Sequence, residues 1–164
     1  MARRKGLVIS DEQMRLVDDV LAKLRRISGS KFIALISTSG QPITTSPADV
    51  ESDTLSLAAL AASSFAATRQ LAEVLDEQEF TLLFHEGKDL NLHVVQVNDQ
   101  VLLLLTFGQD TQVGKVRLYT TRALEVLKPV FQNAEDILED ELTFDVDYSS
   151  EADKAIDGLF PGEN

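Results

Sequence analysis

Residues 100–107 read QVLLLLTF. A strand with one wet face alternates apolar and polar residues, and Val101-Leu102-Leu103-Leu104-Leu105 does not. It reads as a strand buried on both faces, which requires helices on both sides of its sheet. Two more strands precede it, Glu79 to His85 and Leu90 to Val97, joined by Glu86-Gly87-Lys88-Asp89 and Asn98-Asp99. With Gly87-Lys88 as a two-residue turn, His85 pairs with Leu90 and His93 with Leu82. The two histidines then point to opposite sheet faces. On the far side, after Gly108 and Gly114, a last helix carries Val116, Thr120, Ala123, Leu127 and Val130 on one face. Pro129 is expected to kink or end it.

Upstream lies a long helix from about Asp53 to Leu75, DTLSLAALAASSFAATRQLAEVL. A surface helix ordinarily has one apolar stripe and one charged face. This one has no charge from Thr54 to Thr68. Small neutral residues all round imply cover on more than one side: its own sheet on one, a partner on another. Nearer the start, Ser10 and Gln13 have capping-box spacing, and Met14, Val17, Leu21 and Leu24 recur at helical spacing to about Ile27. Ser28-Gly29-Ser30 stops that helix. Phe32 to Ile36 reads as a strand, Thr38-Ser39-Gly40 as a turn, and Gln41 to Thr45 as a returning strand. Pro42 confines the latter to an edge or a strand start.

The order is therefore α-β-β-α-β-β-β-α. It predicts an α/β, three-layer α/β/α domain around a five-stranded, mainly antiparallel sheet. Residues 1–9 form an N-terminal extension, 10–131 the domain, and 132–164 an acidic, largely disordered tail. The tail holds a candidate docking helix near 150–160, in which Ile156, Leu159 and Phe160 share one face after the candidate caps Ser149 and Ser150.

The 164 residues suit one domain with one real core. The net charge of -12 is uneven: residues 132–164 hold 11 acidic residues and one Lys, leaving 16 acidic and 14 basic in the rest. An acidic chain repels phosphates and anionic membrane surfaces, so neither nucleic acid nor direct membrane insertion is expected. With no Cys there is no disulfide or thiolate site. Leu7 to Ile9 is too short for a signal-peptide core. A cytoplasmic protein is expected.

Three candidate chemistries fail on the residues. Gly108 to Lys115, GQDTQVGK, joins a strand to a helix like a phosphate loop, but five residues separate its glycines and Val116 replaces the magnesium-holding Ser/Thr. His85 and His93 on opposite faces make no metal pair, and no nucleophile elbow is present. No catalytic site, metal or cofactor is expected. A metabolite sensor needs convergent polar groups in a pocket, and the buried strands offer only aliphatic side chains.

Taken jointly in order and spacing, SLAALAASSFAATRQLAEVL, FTLLFHEGKDLNLHVV and VLLLLTFGQDTQVGKVRL resemble the roadblock/dynein light chain family, in particular its bacterial MglB-type branch. The ending AIDGLF is similar to some tails of that branch. The resemblance implies a roadblock-like homodimer in which the long helices pair and the sheets join edge to edge. It implies a small Ras-like GTPase, MglA-like, as partner. The chain would act as its GTPase-activating partner in bacterial cell polarity or motility, with concentration at a cell pole as one expected location. It would shift the GTPase's own catalytic residues. The implied GTPase or dimer interface on the long helix comprises Ala59, Ala62, Ser63 and Ala66. Arg69 and Gln70 depart from the family's small residues there: their bulk either hinders the GTPase or makes new contacts. The alternative is a roadblock scaffold that assembles partners without stimulating GTP hydrolysis.

Overall fold

The computed structural model describes residues 7–48, 53–136 and 157–159. Its elements are α1 (Asp11–Ser28), β1 (Phe32–Ser37), β2 (Pro42–Ser46), α2 (Thr54–Val74), β3 (Leu82–His85), β4 (Leu90–Asn98), β5 (Val101–Gly108) and α3 (Val113–Asp136). The expected order is present. All four strand pairings are antiparallel, in the order β2-β1-β5-β4-β3.

The unalternating strand sits at the centre. β5 lies between β1 and β4, and all eight of its residues are buried. Its odd and even positions serve different cores. Val101, Leu103, Leu105 and Phe107 pack with Val17, Val20, Leu21 and Leu24 of α1 and with Val116, Ala123 and Leu127 of α3. Leu102 and Leu104 pack instead with Ala58, Ala61, Ala62 and Phe65 of α2. The layers are α1 and α3, then the sheet, then α2. In the second core Phe65 is the large residue among alanines, which lets the helix backbone lie close to the strands.

Local chemistry sets the ends. Ser10 caps α1: its Oγ accepts from the Gln13 N–H at 3.1 Å, and the Gln13 side chain accepts from the Ser10 N–H at 3.0 Å. Gly29, at φ 76°, closes the helix in the left-handed region. Pro42 is the first residue of β2, an edge strand, where its missing N–H costs no ladder bond. Gly40 is buried in the β1–β2 turn at φ 90°, and a Cβ there would stand 3.0 Å from the Ala59 Cα. That close approach sets the turn directly against α2 and calls for glycine.

Two expectations need correction. The β3–β4 register is displaced by two residues: His85 pairs with Leu92, and His93 with Phe84. The connection is a closed loop rather than a two-residue turn. Asn91 Oδ1 accepts from the Gly87 N–H at 3.2 Å, and Gln109 Nε2 donates to the Gly87 carbonyl at 2.6 Å. A shift of two preserves the faces, so the histidines do point to opposite sides. β3 is also shorter than expected, beginning at Leu82. Secondly, α3 does not end at Pro129 but continues to Asp136. Pro129 and Glu125, whose carbonyl loses its donor, are both exposed, so water can take the place of the missing bond. Residues 132–136, expected at the head of the tail, continue this helix.

Among the described residues, no helix is long and apolar enough to cross a membrane.

Candidate functional site

The long helix has an unusual outer side. Below it, Ala58, Ala61, Ala62, Phe65, Thr68 and Ala72 are buried against the sheet. At 100° per residue, eight of the other positions form two adjoining outward stripes. Leu60, Ala67, Leu71 and Val74 make the first, with Leu60 68%, Leu71 56% and Val74 82% exposed. Ala59, Ser63, Ala66 and Gln70 make the second, all exposed. No charged side chain stands on α2 before Arg69. Ser63 turns its hydroxyl back onto its own helix, donating to the Ala59 carbonyl at 2.9 Å, so even its polar group makes no outward demand. The result is a partly aliphatic surface, uncharged as far as Thr68, on the side of α2 away from the sheet.

Of the expected interface residues, Ala59, Ser63, Ala66 and Gln70 are thus brought together and outward. Arg69 is exposed but lies nearer the sheet side of the helix. Ala62 is 5% exposed and belongs to the helix underside, packed with Ala34, Ile36, Leu102 and Leu104. Sequence reasoning does not single out the outward leucines. Their signal is nonetheless there: Leu60, Leu71 and Val74 follow helical spacing on the face away from Phe65.

For the tail, Ile156 and Phe160 lie outside the described residues. Asp157, Gly158 and Leu159 are helical and stand against α1 and α3 of the same chain. Lys23 Nζ is 3.7 Å from Asp157 Oδ1, and Arg122 Nη1 donates to the Leu159 carbonyl at 3.4 Å. Asp157 is 85% exposed, so this ion pair contributes little.

Among the described residues, His93 is the titratable group most altered by the fold. It is 2% exposed on β4, between Phe84 and Leu105. Burial first, and the Arg117 charge second, lower its pKa from 6.5 to about 4. Between those values the unfolded chain binds a proton that the folded chain refuses. Stability is therefore expected to fall as pH drops from about 6.5 to about 4, on the order of a few kcal/mol in all. Urea denaturation at stepped pH checks this: His93→Gln should flatten the profile, and parallel profiles would refute it.

The comparisons with known proteins identify the fold. Residues 16–107 match the Roadblock/LC7 domain. The chain belongs to that family. Among solved structures, this roadblock chain is similar to Myxococcus xanthus MglB, with 32% identity over 71% of this chain and 95% of that one, at a TM-score of 0.68. An MglB of tetrameric arrangement gives 29% identity over 81% and 99%, at a TM-score of 0.70. The gliding protein MglB from Thermus thermophilus gives 28% over 80% and 99%, at 0.69. Among curated proteins none matches. The roadblock assignment places the α2 surface on a domain whose similar structures include a tetrameric arrangement.

Proposed function

We propose that this roadblock chain is a homodimeric regulator of a small Ras-like GTPase, acting as an MglB-type activating partner in bacterial cell polarity or motility. The observation that carries the reading is the outward face of α2, uncharged from Thr54 to Thr68 and bearing exposed Leu60, Leu71 and Val74. Apolar area of this kind on one helix marks an interaction surface. The leucine stripe is suited to pairing with α2 of a second copy. The small-residue stripe, Ala59, Ser63, Ala66 and Gln70, lets a GTPase backbone come close. The hydrolysed bond belongs to the partner, so in this reading the chain carries no catalytic site of its own and works in the cytoplasm.

A scaffold role is the second reading, favoured by the exposed bulk of Gln70 at the end of that stripe and of Arg69 beside it, nearer the sheet. Nucleotide preference separates the two. The switch loops of such GTPases are ordered by the γ-phosphate and magnesium. An activator is expected to co-purify with the GTP-loaded MglA-like protein at least about tenfold more tightly than with the GDP form, a difference of about 1.4 kcal/mol. Equal affinity for both forms would favour the scaffold.

A further inference from the structure

On the sheet face opposite α2, a cleft of about 380 Å³ opens between the β3–β4 edge and α3. That is the size of a small-ligand site. Its floor holds two buried polar atoms without a hydrogen-bond partner, His93 Nδ1 and Thr120 Oγ1. The residues are 2% and 1% exposed. Such orphans are uncommon, because an unpaired buried polar group costs free energy. Thr120 had an easy alternative. A helical threonine can donate to the carbonyl four residues back, as Thr121 does to Arg117 at 2.9 Å and Thr68 does to Ser64 at 3.0 Å. Thr120 does not. His93 and Thr120, from distant parts of the chain, both line the same cleft.

The remaining lining gives the chemistry. Arg117 and Lys128 stand at the rim against the single carboxylate of Glu79, a balance of one positive charge. Leu82, Val95 and Leu124 supply an apolar wall. One net positive charge suits a monoanion better than a phosphate dianion, and the wall suits a short hydrocarbon body. We propose that this cleft binds a small organic carboxylate, its oxygens held by Arg117, Lys128 and Thr120 and its body against the Leu82–Val95–Leu124 wall. His93 completes the floor as a hydrogen-bond partner to the same group.

Bound anion would also offset the Arg117 charge that helps keep His93 neutral. The groups lining the cleft around His93 are Arg117 and Lys128 from α3 and Glu79 from the segment before β3; its register neighbours Phe84 and Leu105 carry no charge. The cleft is independent of the α2 surface, so either reading can fail alone.

The test is a nuclear magnetic resonance titration of the full chain with sodium butyrate, following the His93 ring and the Thr120 amide. Sodium chloride, butanol and inorganic phosphate are the controls. Butyrate should give saturable shifts confined to the cleft, and the His93 pKa should rise from about 4 at saturation. Arg117→Gln should weaken binding at least about tenfold, the usual loss for a charge-assisted hydrogen bond. Thr120→Val, which keeps the side-chain shape, should weaken it several-fold. Shifts no different from those in sodium chloride would overturn the proposal and leave a single water bridging His93 and Thr120 as the explanation. Phosphate binding as well as butyrate, or affinity unchanged in Thr120→Val, would overturn it too.

Discussion

Ala62→Glu is expected to unfold the domain. Ala62 faces the sheet, 5% exposed, among Ala34, Ile36, Leu102 and Leu104. That cluster contains no cation to pair with a carboxylate. An unpaired charge there costs several kcal/mol, and a longer side chain would also prise α2 from β1 and β5. A typical domain has only about 5–15 kcal/mol in all. Ala66→Glu, one turn on and exposed, is the matched control: its fold should be unchanged to within about 0.5 kcal/mol. Urea denaturation followed by circular dichroism compares them. An Ala62→Glu chain as stable as the Ala66→Glu chain would show that the α2 underside has been misplaced.

The second large effect is on association. Leu60 and Leu71 are 68% and 56% exposed on one stripe of α2. If a second copy covers both, replacing them together by Lys removes two leucines from each protomer. At about 1 kcal/mol apiece, since each is already partly covered, the four together cost roughly 4 kcal/mol, about a thousand-fold in the dimer constant. Each Lys also puts like charges across a two-fold axis. Analytical ultracentrifugation should find the wild type dimeric at micromolar concentration and the double variant monomeric with helical content retained. A wild type that sediments as a monomer would remove the dimer from the account.

The sequence is most legible where one local pattern decides one local outcome. Val101 to Leu105 demands cover on two faces, and β5 has it from α2 on one side and α1 and α3 on the other. Ser10 and Gln13 announce a cap that both hydrogen bonds complete. Outcomes set by distant residues are harder to read. The β3–β4 register depends on Asn91 and Gln109 closing the loop at Gly87, and Gln109 lies 22 residues beyond it. Pro129 reads as a kink or a stop because its local cost is certain, but the burial of Val130 and Phe131 against the core carries the helix past it. The α2 surface is legible in composition but not in detail. Its lack of charge is plain, whereas which alanines face in, Ala62 among them, follows only once Phe65 fixes the helix rotation. The cleft is least legible. His93 and Thr120 read as members of an ordinary strand and an ordinary helix face, and only the packing of α3 on β4 brings them together.

The proposed role of this roadblock chain is to speed GTP hydrolysis by a partner. The direct measurement is single-turnover GTP hydrolysis by the MglA-like GTPase, alone and with a saturating amount of this chain. A rise of roughly tenfold or more is expected, equivalent to at least about 1.4 kcal/mol off the barrier, and no rise with the Leu60→Lys, Leu71→Lys variant. An unchanged rate, under conditions where the complex is shown to form, would contradict it.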